Sequence, residues 1–223
     1  FKTAGLLQPS DFESYNEVTG KWEGCKVPVF AGFEVQPGDV KYIDVSKNGS
    51  LGDEDRVVIG NPNPKHTFSL RLEAAYHGFD MALFFQGAAG VNGYISDEAM
   101  HPFLQNTGEY SLPMKTHLDR WTPNNTGAWY PRLYYGQSYS VRFSDYWVQN
   151  ASYLRLKNLQ VGYTLPASIT KKVSIGKARF YVSGENLFTL TDFYKYYDPE
   201  VKETSGDSYP QVKTMIFGVN LTF

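Results

Sequence analysis

Oxygen-bearing side chains recur at regular spacing in one short segment, DVSKNGSLGDED, which runs from Asp44 to Asp55. Aligned on a calcium-binding loop of about twelve residues, its donor positions are occupied by Asp44, Ser46, Asn48, Ser50 and Asp55. Gly49 falls where such a loop turns sharply, and oxygen ligands at this spacing suit Ca²⁺. Only two of these side chains are carboxylates, so the expected affinity is low. The alternative is a solvated Asn-Gly turn that is held by its own hydrogen bonds.

Aromatic side chains crowd a second segment, residues 87–152, which otherwise has the composition of a long loop. Loops of this length in compact domains are usually functional. Aromatic rings could stack on sugars or pack on the apolar groups of a peptide. Alternatively, they pack the loop on itself or on a partner. The candidate contacts to a substrate or partner are Trp121, Trp129, Tyr130, Tyr134 and Tyr135.

Groups that often carry catalysis are present without a catalytic arrangement. The four histidines lack metal-ligand spacing, and no G-x-S-x-G motif occurs. Cys25 has no basic cluster around it that would activate a thiol. The carboxylate pairs Asp53–Glu54 and Asp198–Glu200 fall in predicted loops, where solvated charges are expected. We therefore expect no catalytic residues and no enzymatic activity.

The composition narrows the class of protein. A net charge of −2 over 223 residues gives no basic face for nucleic acid. Aromatic residues make up 16% of the chain, which suits lipid-facing strands with interfacial girdles but also a glycan-binding β protein. The single cysteine excludes an intrachain disulfide. No apolar run is long enough for a transmembrane helix. Phe1 does not begin a signal peptide, so the signal of an exported protein would lie upstream.

Apolar and polar residues alternate with a period of two in several segments, which predicts β-strands with one apolar face. His77-Gly78 predicts a tight hairpin turn between the first two. A slip of phase near Lys157-Asn158 predicts either a β-bulge or a strand that leaves the membrane there. The first strand has the length that a tilted strand needs to cross a bilayer. The predicted strands are His66–Tyr76, Phe79–Gln86, Tyr153–Leu165, Arg179–Leu190 and Thr214–Phe223.

Short and long connections alternate along these strands, as they do in outer-membrane barrels. Residues 77–78 and 166–177 are short; residues 1–65, 87–152 and 191–211 are long. Arg71, Glu73 and Asp80 are expected to face a lumen or solvent. The predicted fold is therefore all-β, with about five C-terminal strands of a large antiparallel transmembrane β-barrel. Residues 1–65 form an extracellular loop region with the calcium-like turn, and residues 66–223 form the strands and their loops.

Six sequence runs resemble the C-terminal portion of SusC/RagA-type TonB-linked outer-membrane transporters. They lie in the order found in that family and are spread over nearly the whole chain. Ser46 and Gly52 depart from the family's calcium-like loop, which usually has more Asp and Asn. The runs are PGDVKYIDVSKNGSLGDEDRVVIGNPNP, YHGFDMALFFQGAAG, RWTPNN, SDYWVQNASYLRLKNLQVGYTLP, SGENLFTLTDFYKYYDPE and GVNLTF.

This resemblance implies a location in the bacterial outer membrane, in contact with membrane lipid. It also implies import of an oligosaccharide or, in some members, a peptide. The implied partners are a SusD-like surface lipoprotein and the TonB complex, which acts through an N-terminal part that this sequence lacks. Five strands cannot close a barrel of that size, so the chain is expected to be part of a longer protein.

Two other readings fit the strand pattern. One is a soluble, secreted glycan-binding β-sandwich that uses the same aromatic segment and calcium-like turn. The other is an adhesin or scaffold whose loops bind a protein. A sandwich must bury its apolar strand faces under a second sheet. Lipid contact by Phe68, Leu70, Phe85 and Phe217 would favour the transporter, whereas one dry core would favour the sandwich.

Overall fold

The computed structural model describes residues 1–102, 113–134, 139–195, 197–201, 203–204, 209 and 211–223. Strands dominate these residues, which confirms the predicted all-β class. The strands are β1 (Thr3–Leu6), β2 (Phe12–Asn16), β3 (Lys21–Cys25), β4 (Val40–Tyr42), β5 (His66–Tyr76), β6 (Phe79–Ala89), β7 (Asn92–Ile95), β8 (Val148–Asn150), β9 (Tyr153–Thr164), β10 (Lys177–Thr191), β11 (Glu203–Thr204) and β12 (Thr214–Thr222).

Helices are short wherever the structure describes the chain. The α-helices are α1 (Asp97–Met100) and α2 (Ala167–Thr170). Single 3₁₀ turns lie at Pro9–Asp11, Asp53–Asp55, Lys115–Leu118, Tyr139–Val141 and Lys171–Val173. None of these helices has the length and apolar character needed to span a membrane.

Backbone contacts divide the chain into two compact units, which we call the loop unit and the sheet unit. The loop unit takes the described residues of 1–60, 93–149 and 201–208. The sheet unit takes the described residues of 61–92, 150–200 and 209–223. The predicted barrel strands all lie in the sheet unit.

The sheet unit is built on one antiparallel sheet in the order β12-β10-β9-β6-β5. Its strands agree closely with the predicted ones: β5 has the predicted bounds, and β6 continues to Ala89 rather than Gln86. β10 is also longer than predicted, starting at Lys177 and ending at Thr191. Every neighbouring pair in the sheet is antiparallel. Strands that follow each other in this sheet along the chain are therefore also neighbours in space.

The hairpin between β5 and β6 turns on two residues, as predicted. His77 and Gly78 have φ values of 47° and 86°, which are the two left-handed residues of a type I′ turn. A Cβ at Gly78 would come within 2.8 Å of the Thr164 carbonyl oxygen. The turn therefore requires glycine both for its backbone angle and for its close approach to β9.

A β-bulge lies where the sequence predicted one. Phe84 pairs with Asn158 and Phe85 with Leu156, so Lys157 has no partner on β6. An unpaired extra residue in one strand reverses the side of the sheet that the following residues of that strand face. The bulge therefore places Leu156 and Leu159 on the same side of the sheet despite their odd spacing.

The register gathers most of the large apolar residues of all five strands on one side of the sheet, which we call the apolar face. One row across it reads Phe79, Tyr163, Phe180 and Val219 in paired register. Its members in strand order are Phe68, Leu70, Leu72, Ala74, Tyr76, Phe79, Met81, Leu83, Phe85, Leu154, Leu156, Leu159, Val161, Tyr163, Phe180, Val182, Phe188, Leu190, Met215, Phe217, Val219 and Leu221. The other side is the polar face.

The loop unit is a packed body and not the unstructured loop that its composition indicated. β1 pairs with β4 and β2 with β3, both antiparallel. Its core is formed by side chains that lie far apart in sequence, so no local periodicity predicts it. The core residues are Phe1, Leu6, Leu7, Phe12, Phe30, Val35, Val40, Tyr42, Leu51, Trp121, Ala128 and Tyr139.

Candidate functional site

The apolar face is exposed although nearly every side chain on it is apolar. Phe217 is 77% exposed, Leu70 53% and Phe68 48%. Phe85 also lies on this face, opposite Leu70. An uninterrupted apolar surface across five strands far exceeds the scattered apolar residues of an ordinary soluble surface. It matches the lipid-facing side of a membrane barrel wall.

The polar face carries the charges, as predicted for Arg71, Glu73 and Asp80. The carboxylate of Asp80 on β6 accepts a hydrogen bond from Arg179 Nε on β10, at 2.9 Å. The arginine reaches it across β9 at Gly162, where a Cβ would lie 2.6 Å from Arg179 Nε. A glycine thus lets an ion pair span three strands. Such a surface suits a water-filled or protein-filled lumen.

Arg155 forms a buried charge cluster at the loop end of the polar face. Its Nη2 donates to both carboxylate oxygens of Asp198, at 2.8 and 2.7 Å, and its Nε donates to Thr189 Oγ1 at 2.8 Å. Glu200 Oε1 lies 3.3 Å from Nη1 and accepts the Tyr153 hydroxyl at 2.8 Å. The expectation that Asp198 and Glu200 are solvated is wrong, because β9 supplies a buried arginine that pairs with both.

The segment after β10 folds back beside this cluster. Phe193 is buried in a small apolar group that includes Ala88, Val91 and Tyr153. Tyr194 and Tyr197 stack at 5.2 Å between ring centroids and pack against the same group. The described residues of 193–200, at the start of the predicted polar connection, are therefore fixed to the sheet by one ion-pair cluster and one apolar cluster.

The calcium-like loop is closed by its own carboxylates. Asp44 accepts the Lys47 and Gly49 backbone N–H groups at 2.6 and 2.7 Å. Asp55 accepts those of Ser46 and Gly52, both at 2.9 Å. These amide hydrogen bonds, first that of Ser46, lower the pKa of Asp55 below its usual range. The loop therefore keeps its shape through hydrogen bonds within the chain.

The remaining donors of that loop are engaged as well. Asn48 Oδ1 accepts from the Ser50 N–H at 2.8 Å and from the Ser50 hydroxyl at 2.9 Å. Ser46 Oγ donates to Asp44 at 3.0 Å. Within the described residues, no three His, Cys, Asp or Glu side chains are grouped to hold a metal ion. The donor set fits at most a weak oxygen-ligand site, and metal binding stays a prediction.

The aromatic candidates lie at different depths in the loop unit. Trp121 and Tyr130 are buried, and the Tyr130 hydroxyl donates to the Ala99 carbonyl at 3.0 Å. Trp129 is partly exposed and packs edge-on against Trp147 at 5.6 Å. The burial of Trp121 and Tyr130 agrees with the packing alternative for these two rings. Tyr135 lies outside the described residues.

Tyr134 belongs to a polar centre that sequence reasoning missed. Its hydroxyl donates to the buried Asp39 carboxylate at 2.5 Å, and Ser140 donates to the same carboxylate at 3.3 Å. Burial raises the pKa of Asp39, against the effect of the Tyr134 hydrogen bond. The Tyr134 backbone N–H donates to His101 Nε2 at 3.0 Å. The hydrogen-bonded pairs are separated by 33 to 101 residues in sequence, so no local pattern could reveal them.

A single antiparallel sheet with one apolar side and one polar side has the arrangement of the wall of a transmembrane β-barrel, where one side faces lipid and the other faces water. Comparison with known proteins identifies the family. The chain is 34% identical to TonB-dependent receptor P3 of Formosa agariphila over 93% of its own length and 21% of that protein. It is 28% identical to TonB-dependent receptor SusC of Bacteroides thetaiotaomicron over 84% of its length and 18% of that protein. No protein-family model matches the chain.

Solved structures agree. The chain superposes on the RagAB peptide importer in its open-open state with a TM-score of 0.64 and 26% identity, covering 94% of this chain and 24% of that one. For the closed-closed state the TM-score is 0.64 at 25% identity, over 99% and 22% of the two chains. The chain thus belongs to the SusC/RagA-type TonB-dependent receptors, as the sequence runs indicated, and lies in the bacterial outer membrane. It spans about a fifth of the length of the curated relatives that it matches.

Proposed function

We propose that the chain forms part of the barrel wall of a TonB-dependent outer-membrane transporter that imports an oligosaccharide or a peptide. The observation that carries the proposal is the exposed apolar face, backed by a polar face with a cross-strand ion pair. A membrane protein must satisfy every backbone group internally. The two edges of this sheet, β5 and β12, would therefore pair with further strands of the same barrel.

The proposed partners follow from the relatives. RagAB is described as a peptide importer, and the SusC likeness suggests a SusD-like lipoprotein on the outer surface. The TonB complex would act through a part of the receptor outside this chain. The long connections, at one end of the strands, would face the lipoprotein, and the short connections, at the other end, would face the periplasm.

A weak Ca²⁺ site in the Asp44–Asp55 loop is proposed as an accessory feature. Asp44 and Asp55 would supply charge, and Ser46, Asn48 and Ser50 would supply neutral oxygens. With only two carboxylates, a Kd of about 10⁻⁴–10⁻³ M is expected, as for extracellular calcium modules. The cation would add cross-links to a loop that is already closed by hydrogen bonds.

Uptake by cells tests the proposed function. The gene that encodes the chain is deleted in its host, and uptake is measured for a defined mixture of neutral oligosaccharides and for a tryptic peptide digest. We expect the deletion to abolish uptake of one of the two, with restoration by the wild-type gene and inhibition by a protonophore. Unchanged uptake of both would contradict the proposal, and uptake insensitive to the protonophore would contradict its TonB dependence.

A further inference from the structure

The apolar face has a groove at the end where the short connections lie. Its volume is about 450 Å³. Side chains of different height create it, because valines occupy register positions between aromatic rings. Its floor and rim include Val161, Val182, Val219, Phe79, Tyr163 and Phe217. All six belong to the apolar face, so the groove opens toward lipid.

The groove lies at a defined depth. Phe180, which lines it, is three residues from Lys177 at the start of β10. Three residues of a strand span about 10 Å, and one leaflet contributes about 15 Å of hydrocarbon. At this depth the groove would face the part of an acyl chain that lies nearest to the headgroup, and the headgroup would lie level with the ends of the strands.

Those strand ends are basic. The connection between β9 and β10 carries Lys171 and Lys172, both of which are exposed. Lys177, which begins β10, is also exposed but lies in the register of the polar face. From Gly162 to Ala178 the sequence contains no Asp or Glu. The turn His77-Gly78 and the last residues of β12 add no acidic side chain at this end.

The acidic side chain nearest to this end in sequence is already paired. Asp80 is the second residue of β6, lies on the polar face and is bound by Arg179. Ile169, in the same connection as Lys171 and Lys172, is 52% exposed. An exposed apolar residue beside lysines is the pattern of a segment at a membrane interface.

We propose that this end of the sheet is a binding site for an anionic phospholipid. An acyl chain fills the groove, and the phosphate lies beside Lys171 and Lys172. The charge complementarity selects an anionic headgroup over a zwitterionic one, because basic residues near a membrane surface attract anionic lipid. The inference rests on the proposed placement of the chain in a barrel whose short connections face the periplasmic leaflet.

Lipid retention by the full-length receptor tests the proposal. The receptor is purified in detergent and exchanged with equimolar phosphatidylglycerol and phosphatidylcholine of identical acyl chains, and bound lipid is counted by native mass spectrometry. We expect phosphatidylglycerol to be retained about tenfold more, an order of magnitude taken from the attraction per lysine. Lys171→Gln/Lys172→Gln should remove most of that preference. The matched control, Lys47→Gln in the loop unit, should retain it.

A second variant tests the groove separately. Val182→Phe fills the floor with an apolar group that lipid tolerates, so it should lower retention of both lipids at this site without changing their ratio. Equal retention of the two lipids by the wild-type receptor would overturn the proposal. The proposal would also be overturned if the lysine variant kept the preference for phosphatidylglycerol, or if lipopolysaccharide displaced phosphatidylglycerol completely. Because the uptake assay uses the wild-type gene, failure here leaves the proposed transport function intact.

Discussion

At the scale of single residues, the most constrained side chain of the sheet unit is Arg155. It is 1% exposed and holds two carboxylates that come from a separate segment. Removing one partner of a buried pair leaves an uncompensated charge, which is far more costly than losing a surface pair. The cluster therefore decides whether the segment after β10 stays on the polar face.

Arg155→Met should release this segment. We expect a loss of about 3–5 kcal/mol in local stability, measured as faster proteolysis within residues 192–201 of the receptor in detergent. Arg71→Met is the control, because its pair with Glu73 is exposed and worth about 1 kcal/mol or less. Equal protease sensitivity of the two variants would contradict the assigned role of Arg155.

His101 gives the loop unit a dependence on pH. Burial, and then the nearby charge of His117, lower the pKa of His101 to about 4 from 6.5. A histidine that is harder to protonate when folded contributes its full stability above pH 6.5 and loses it as the pH falls toward 4. The expected slope is at most about 1.4 kcal/mol per pH unit for one proton.

Hydrogen exchange of the loop unit between pH 6.5 and 4 measures that slope, after correction for intrinsic exchange. His101→Gln should flatten it by about one proton, and His66→Gln in β5 should not change it. A slope that is the same in the wild type and in His101→Gln would show that the buried imidazole does not govern the pH response.

At the scale of elements, the bulge in β9 keeps the apolar face continuous. Deleting Lys157 would remove the extra residue and leave Leu156 and Leu159 two positions apart, so regular alternation would keep both on the apolar face. We therefore expect this deletion variant of the full-length receptor to keep heat-modifiable migration on gels, whereas deleting Arg71 from the bulge-free strand β5 makes Leu70 and Leu72 adjacent and abolishes it. Loss of heat-modifiable migration in the Lys157 deletion would show that the bulge itself is required and not only the phase of the apolar residues.

The two faces of β5 should tolerate charge very differently. Leu72→Arg places a charge at mid-strand on the apolar face, at an expected cost of about 2–4 kcal/mol near the bilayer midplane. Ser69→Arg puts the same side chain on the polar face, where Arg71 already lies. Urea unfolding in lipid vesicles compares the two, and equal destabilisation would contradict the assignment of the faces.

The strands were predictable because each carries its own signal. Period-two alternation gave β5 and β12 almost to the residue, and the phase slip at Lys157 gave the bulge. The loop unit could not be predicted in this way, since its core joins Phe30 to Tyr139 through tertiary packing alone. The Asp39 and Arg155 centres were missed for the same reason: their partners lie far away in sequence.

At the scale of the whole molecule, the sheet forms part of a membrane-spanning wall. Exposing an apolar face of this size to water is unfavourable, and the relatives are TonB-dependent receptors. The soluble sandwich would require the same side chains to form a dry core, whereas most of them, including Phe68, Leu70 and Phe217, are exposed in this structure. The uptake assay tests the proposed import and distinguishes its two substrate classes.

Cysteine scanning of β12 tests the central claim most directly. In the full-length receptor with Cys25→Ser, single cysteines are placed at positions 215–221 in vesicles and labelled with a membrane-partitioned or an aqueous maleimide. We predict strict alternation. The lipid probe should label cysteines that replace Met215, Phe217, Val219 and Leu221, and the aqueous probe should favour cysteines that replace Ile216, Gly218 and Asn220. Labelling of all seven positions by the aqueous probe alone would contradict a lipid-facing sheet.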